Sequence, residues 1–103
     1  MEREKLLIKF CDFLTHVMGP ETEVVLHDRD GYIIWIAGGH ITGREVGQQD
    51  LLPAMELVAR QRALEGFDYT TGYKSFSRKG TPLRSSSLFF RDDEGKLDYV
   101  LCV

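Results

Sequence analysis

The chain has 103 residues, of which 43% are hydrophobic, so it can bury a single core but is too short for two domains. Its formal net charge of -3 and sequence pI near 5.5 give no overall basic field, which disfavours DNA binding by these residues alone. No apolar run approaches the roughly 20 residues of a membrane span, and the opening MEREK leads into no signal-peptide core. We therefore expect a cytoplasmic protein without a membrane partner.

The first predicted element is an amphipathic helix from Glu2 to Met18. Its apolar residues recur at helical spacing, and Gly19 followed by Pro20 forms a stop signal. This broad face can cover a sheet, or can also pair with a second copy of the chain. Its members are Leu6, Leu7, Phe10, Cys11, Phe13, Leu14, Val17 and Met18.

Strands and one further helix follow. Glu23 to Asp28 and Tyr32 to Ala37 are rich in β-branched and aromatic residues, and the intervening DRDG has hairpin chemistry. After the glycine loop GGHITGREVG, a helix is predicted from an Asp50 cap to Gly66, with Pro53 tolerated in its first turn. Three more strands are predicted, separated by the turns RKGTP and DDEGK: Tyr69 to Ser77, Leu83 to Arg91 and Leu97 to Val103.

This order predicts an α+β fold, a five-stranded antiparallel sheet packed by helices, as in PAS domains. No repeat or linker divides the chain, so we expect one domain over residues 1–103. The sequence stops on YVLCV inside an apolar strand, and we expect it to be cut from a longer protein. Cys11 and Cys102 lie far apart within apolar patterns, which favours buried free thiols over a disulfide.

The glycine loop superficially matches a phosphate-binding loop, because Gly38 and Gly43 have the required spacing. Arg44 stands where that loop needs lysine, and Glu45 replaces the Ser or Thr that binds magnesium, so we expect no nucleotide-hydrolysing site. The glycines instead predict a sharp turn, with Thr42 capping a short helical turn. His40 and Arg44 are then left either to bind a small polar ligand or to brace the loop.

Three segments resemble the YheO-like PAS domains, the N-terminal part of bacterial transcriptional regulators. They are MGPETEVVLHD (Met18 to Asp28), GGHITGREVG (Gly38 to Gly47) and LRSSSLFFRDDEGKL (Leu83 to Leu97). The resemblance implies a sensor fold followed by a helix-turn-helix segment. Since this chain ends at Val103, we expect DNA to be a partner only through a C-terminal domain that these residues lack. For a PAS-like sensor we also expect a homodimer formed through the first helix, by Leu6, Leu7, Phe10, Leu14 and Val17.

Arg44 and Arg84 lie in the matching segments, and guanidinium groups recognise carboxylates or phosphates by paired hydrogen bonds. The alternative for either is a structural ion pair, for instance with Asp28 or Glu45. Strand alternation places Arg84 and Ser86 on one face, and we expect a pocket to use one face only. Aromatic residues such as Tyr73 either line a cavity or belong to the core. The predicted ligand-binding set is His40, Thr42, Arg44, Tyr73, Arg84 and Ser86.

Metal binding and catalysis have weaker support. The hairpin can bring His27, Asp28 and His40 together, but no HxH, HExxH or CxxC spacing is present, so we expect no metal site. The serines Ser85 to Ser87 lie in neither a GxSxG nor an SxxK motif, and we expect no catalytic residue. No residue stands out as an obligate ligand for heme or flavin, so we predict no cofactor.

These observations favour a ligand-sensing PAS-like domain of a transcriptional regulator. We expect it to bind a small polar metabolite, anionic or amino-acid-like, and to signal through its dimer without performing chemistry. One alternative is a purely structural dimerisation module whose cavity is filled by side chains. A weaker one is an enzyme that uses His27, His40 and the serines, which would have to meet in a cleft.

Overall fold

A five-stranded antiparallel sheet with one long helix against it makes up most of the protein that the structure describes. The structure is a computed structural model that describes residues 2–49, 61–76, 80 and 82–103. Its elements are helix α1 (Glu2–Met18) and strands β1 (Val24–Asp28), β2 (Ile33–Ala37), β3 (Tyr69–Phe76), β4 (Pro82–Arg91) and β5 (Leu97–Cys102). The α+β, PAS-like architecture predicted from the sequence is confirmed, and these elements agree with the predicted ones to within one residue.

Most of the predicted second helix, and most of the RKGTP turn, lie outside the described residues. Residues 61–64 are helical, and the chain leaves this helix through Gly66, which has a φ of 96°. The amide of Gly66 donates to the carbonyl of Ala63 at 3.1 Å, and the amide of Phe67 donates to that of Arg62 at 3.1 Å. These two bonds form a Schellman motif, which explains why the helix ends at the predicted glycine.

The strand order in the sheet is β2-β1-β5-β4-β3, with every neighbour antiparallel. Both tight hairpins rely on an aspartate at the end of a strand. One oxygen of Asp28 accepts the amides of Asp30 at 2.9 Å and Tyr32 at 3.0 Å, and Asp92 accepts those of Glu94 and Lys96 at 2.9 Å each. The side chains thus fix the turns that the sequence predicts, in the manner of Asx turns.

Each face of the sheet carries its own apolar cluster, because successive strand residues point to opposite sides. On one face, Leu7 and Cys11 of α1 pack against residues such as Leu26 and Leu101. On the other, Val25, Phe89 and Val100 pack with Ala63 of the second helix. Cys11 and Cys102 belong to different clusters and are both buried free cysteines, as the sequence predicts. Burial raises the pKa of the Cys11 thiol to about 11, so it stays protonated at neutral pH.

Helix α1 is divided between two environments. Leu7 and Leu14 pack onto the sheet of their own chain, so these two residues of the predicted dimer face are already used within the protomer. The stripe beside them stays exposed, by 67% at Leu6, 64% at Phe13 and 61% at Val17. Among the described residues, no helix is long and apolar enough to cross a bilayer.

Polar contacts fix the start of α1 to the β4–β5 hairpin. Arg3 forms an ion pair with Asp98 and donates to the carbonyl of Arg91 at 2.7 Å. The hydroxyl of Tyr99 donates to a carboxylate oxygen of Glu4 at 3.1 Å. Burial, followed by this hydrogen bond, raises the pKa of Tyr99. The helix is therefore held at its first turn as well as by its apolar face.

Truncation of the central core should be costly. Leu26 lies on the inner strand β1 and is 0% exposed. We expect Leu26→Ala to lower the free energy of unfolding by about 2–5 kcal/mol, because it removes buried apolar surface and leaves a cavity. Urea denaturation measures this, with Leu64→Ala as the control, since Leu64 is 76% exposed and its truncation should cost no more than about 0.5 kcal/mol. Equal losses in the two variants would contradict the packing described.

The β4–β5 turn should make stability sensitive to acid. The amide of Lys96 is the main cause that lowers the pKa of Asp92 from 3.8, followed among the stabilising contacts by the amide of Glu94 and the charge of Arg29. Because the pKa is lower in the folded state, the contribution is complete above pH 3.8 and is lost as the pH falls through the folded value. We expect Asp92→Asn, which keeps an acceptor oxygen but does not titrate, to flatten thermal stability against pH in this range. An unchanged pH profile would contradict this role.

Candidate functional site

A cavity of about 210 Å³ lies where the α1–β1 connection, the glycine loop and the ends of β4 and β5 meet. Three of the predicted ligand-binding residues, Thr42, Arg44 and Arg84, are in its wall. Among the described residues, the lining is Glu21, Thr22, Glu23, Ile41, Thr42, Arg44, Pro82, Leu83, Arg84, Ser85, Cys102 and Val103. The structure therefore brings together side chains from both arginine-bearing segments that the sequence analysis singled out.

Glu23 ties the glycine loop to the start of β1. One of its carboxylate oxygens accepts from Nε of Arg44 at 3.0 Å and from an Nη of the same guanidinium, while the other accepts from the hydroxyl of Thr42. The side chains of Glu23 and Arg44 are only 8% and 15% exposed. The sequence analysis weighed Asp28 and Glu45 as structural partners for Arg44, and the structure shows that Glu23 is a carboxylate partner instead.

Two glycines let this loop approach the chain closely. A Cβ on Gly38 would lie 2.7 Å from the carbonyl oxygen of Thr22, and Gly38 has a φ of 73°. A Cβ on Gly39 would lie 2.8 Å from the carbonyl oxygen of Arg44. The predicted sharp turn is thus present, but Thr42 caps no helix, because the described residues 44–49 contain none. Its hydroxyl donates to Glu23 and accepts the amide of Arg44 at 3.4 Å.

Arg84 extends across the neighbouring strand at a place where only a glycine leaves room. A Cβ on Gly72 would lie 3.0 Å from an Nη atom of Arg84, and the φ of Gly72 is 64°. The hydroxyl of Ser86 accepts the amide of Gly72 at 3.1 Å. Gly72 and Ser86 therefore shape the surface on which the guanidinium lies, although Ser86 is outside the cavity wall. Strand alternation predicted that a pocket would be lined by one face of β4 only. The cavity wall contains residues 82–85 in succession, so it includes residues from both faces of this strand.

Tyr73 belongs to a row of buried polar groups on the face opposite α1. Its hydroxyl lies 2.7 Å from that of Ser87, which lies 3.3 Å from the sulfur of Cys102. That sulfur lies 4.0 Å from Nδ1 of His27, which is 0% exposed. This row was not predicted from the sequence. Its four side chains lie on four strands, β3, β4, β5 and β1, and alternation places them on one face only once the register is known, since Cys102 pairs with both Ser87 and Val25. His40, by contrast, is exposed and lies outside the cavity wall.

A second cavity of about 510 Å³ lies between the end of the second helix and the β4–β5 turn. Its cationic side chains are already engaged. Arg91 donates to the carbonyls of Ala63 at 2.7 Å and Phe67 at 2.8 Å. Nζ of Lys96 lies 3.7 Å from a carboxylate oxygen of Glu94. This space therefore offers a ligand fewer uncommitted charges than the first. Within the part of the chain that the structure describes, no cluster of three His, Cys, Asp or Glu side chains could hold a metal ion.

Removal of Glu23 should be far more harmful than removal of its exposed neighbour Glu21. Glu23→Ala removes the carboxylate that pairs with the largely buried guanidinium of Arg44. Because of this loss, we expect the free energy of unfolding to fall by about 3 kcal/mol. For Glu21→Ala we expect a change within about 0.5 kcal/mol. Urea denaturation of both variants tests this, and a small effect of Glu23→Ala would show that the loop does not depend on this contact.

Comparison with known proteins agrees with the geometry. Similar solved structures include a cysteine-to-serine mutant of Vivid (12% identity, TM-score 0.50, covering 82% of this chain and 81% of that one). An isoleucine-to-valine variant of Vivid has 14% identity and a TM-score of 0.52, with coverage of 82% and 81%. Vivid is a fungal photoreceptor, and at such identities the likeness shows a shared fold alone.

A comparison with curated proteins gave no match. The profile of one protein family, described as the YheO-like PAS domain, matches residues 3–103. This match spans nearly the whole chain and includes α1, all five strands and the cavity wall. The chain therefore belongs to the YheO-like PAS domain family.

Proposed function

We propose that this domain is the ligand-sensing part of a bacterial transcriptional regulator and that the 210 Å³ cavity is its binding site. The observation that carries the proposal is the pairing state of the two guanidinium groups in the wall. Arg44 is neutralised by Glu23, whereas Arg84 is exposed and forms no ion pair with any residue that the structure describes. Of the side chains that the structure describes, Arg84 is thus the cation that the cavity offers to an incoming molecule.

An anionic ligand suits this cation. A guanidinium presents parallel N–H donors that match carboxylate and phosphate oxygens, and such charge-assisted bonds are about twice as strong as neutral ones. Arg44 acts in the proposal as the residue that holds the wall, together with Thr42, rather than as the main contact. Binding without chemistry is proposed, because neither histidine discussed above, His27 or His40, is in the cavity wall beside Ser85.

The signal is proposed to leave through a homodimer. The exposed stripe of Leu6, Phe10, Phe13 and Val17 runs along α1, whose opposite side packs on the sheet that carries the cavity. Burial of this stripe between two copies would remove apolar surface from water. The regulator would act in the cytoplasm and would contact DNA through a C-terminal domain outside these residues.

A structural dimerisation module is the alternative, and one observation favours it. The face opposite α1 is occupied by its own side chains, with Tyr73, Ser87, Cys102 and His27 in contact with one another. In that case the domain would pair through α1 and bind nothing. The two functions differ in whether any small anion binds at Arg84.

Thermal shift with acetate, succinate and phosphate tests ligand binding. A ligand that binds only the folded state stabilises it by about 1.4 kcal/mol at ten times its Kd, which raises the Tm by several degrees. We expect at least one probe to do so for the wild type and for Lys9→Gln, an exposed cation on α1 outside the cavity wall. Arg84→Gln should lose the shift. An equal shift in all three proteins would contradict the proposed site, as would the absence of any shift with these anions and with short amino acids.

Sedimentation tests the dimer. At about 50 µM, where a dimer with micromolar Kd is largely assembled, we expect the wild type and Lys9→Gln to sediment as dimers. Phe13→Gln removes an aromatic side chain that is 64% exposed in the protomer, so it should weaken the dimer at least tenfold with little effect on folding. A monomeric wild type, or a Phe13→Gln variant that pairs as tightly, would contradict pairing through this stripe.

A further inference from the structure

Among the residues that the structure describes, the charges in the cavity wall are balanced in sign. Four ionised side chains of this part of the chain line it: Glu21, Glu23, Arg44 and Arg84. Glu23 and Arg44 neutralise each other through their close ion pair. Glu21 and Arg84 are left, one of each sign, and neither has an ion-pair partner among the residues that the structure describes.

Glu21 and Arg84 reach the cavity from different sides. Glu21 lies in the connection between α1 and β1. In this connection the amide of Thr22 donates to the carbonyl of Gly19 at 3.3 Å, and the carbonyl of Thr22 lies close against Gly38. Arg84 lies on β4 and is accommodated by Gly72. A molecule in the cavity is therefore presented with a carboxylate from the connection and a guanidinium from the sheet.

The size of the cavity limits what can satisfy both groups. The volume of about 210 Å³ is that of a small pocket. Drug-sized ligands occupy pockets of about 300–1,000 Å³, so the occupant should be more compact. A simple anion would satisfy Arg84 but would place its charge in the field of Glu21 as well, which opposes binding.

We infer that the ligand is a compact zwitterion, with a carboxylate that Arg84 binds and a protonated amine that Glu21 binds. This inference rests on the proposed function of the cavity and adds the second recognition group. Each contact alone is exposed to solvent and therefore weak. A molecule that makes both contacts gains because its second contact forms within the complex already held by the first.

A series of unbranched amino acids tests the inference and also measures the spacing between amine and carboxylate that the cavity prefers. The probes are glycine, β-alanine, 4-aminobutanoate and 5-aminopentanoate, each compared with the carboxylate and the alkylamine of matching length. NMR titration gives the Kd of each probe for the wild type, Glu21→Gln and Arg84→Gln. We expect one amino acid to bind at least tenfold tighter than its matched carboxylate and amine.

The two variants separate the two contacts. Glu21→Gln should reduce the affinity for that amino acid to the level of the carboxylate while leaving carboxylate binding unchanged or stronger, and Arg84→Gln should weaken both. Urea midpoints equal to that of the wild type establish that both variants fold, and the charge reversal Glu21→Lys provides a second variant that should favour plain carboxylates.

The outcomes distinguish the inference from the function on which it rests. If carboxylates bind as tightly as amino acids and Glu21→Gln changes neither affinity, the cavity is a simple anion site. In that case the inferred zwitterionic ligand is wrong while the proposed function stands. If no amino acid, carboxylate or amine binds the folded wild type, both are wrong. Tightest binding by the alkylamines, unaffected by Arg84→Gln, would also overturn the inference.

Discussion

The contact between Glu23 and Arg44 is the interaction on which the candidate site depends. It joins the residue before β1 to the glycine loop after β2, and it also engages the hydroxyl of Thr42. Because both charges are largely buried, the loss of either residue removes a close ion-pair partner from the other and is costly. The same pairing occupies Arg44, so in the proposed function the ion pair builds the wall and leaves Arg84 as the guanidinium that binds the ligand.

The position of the cavity connects it to the rest of the fold. Glu23 immediately precedes β1, an inner strand that pairs with both β2 and β5. Val24 and Leu26 of this strand pack in the same cluster as Leu7 and Cys11 of α1. Close-packed residues therefore connect Glu23 in the wall to the helix whose outer stripe is exposed. In the proposed function, this packing carries the state of the cavity to the dimer.

The sequence predicted the elements well, because their signals are local: the helical spacing before Gly19 and Pro20, and the aspartates and glycines of the two hairpins. It also singled out Thr42, Arg44 and Arg84, which line the cavity together. The partner of Arg44 could not be predicted, since the ion pair depends on how the loop folds back over Thr22 and Glu23. The row from Tyr73 to His27 was missed for a similar reason, because it depends on the register of β4 and β5 and on side chains from separate strands.

In the proposed function, a small anion or zwitterion binds between the α1–β1 connection, the glycine loop and the start of β4. Amide chemical-shift mapping by NMR, with acetate, succinate and 5-aminopentanoate added in turn to the isotope-labelled domain, tests this binding most directly. We predict that the largest shifts occur at residues of the cavity wall such as Thr22, Thr42, Ser85 and Val103. Shifts concentrated instead around Ala63, Phe89 and Val100 on the opposite face from α1, or no shifts at all, would contradict it.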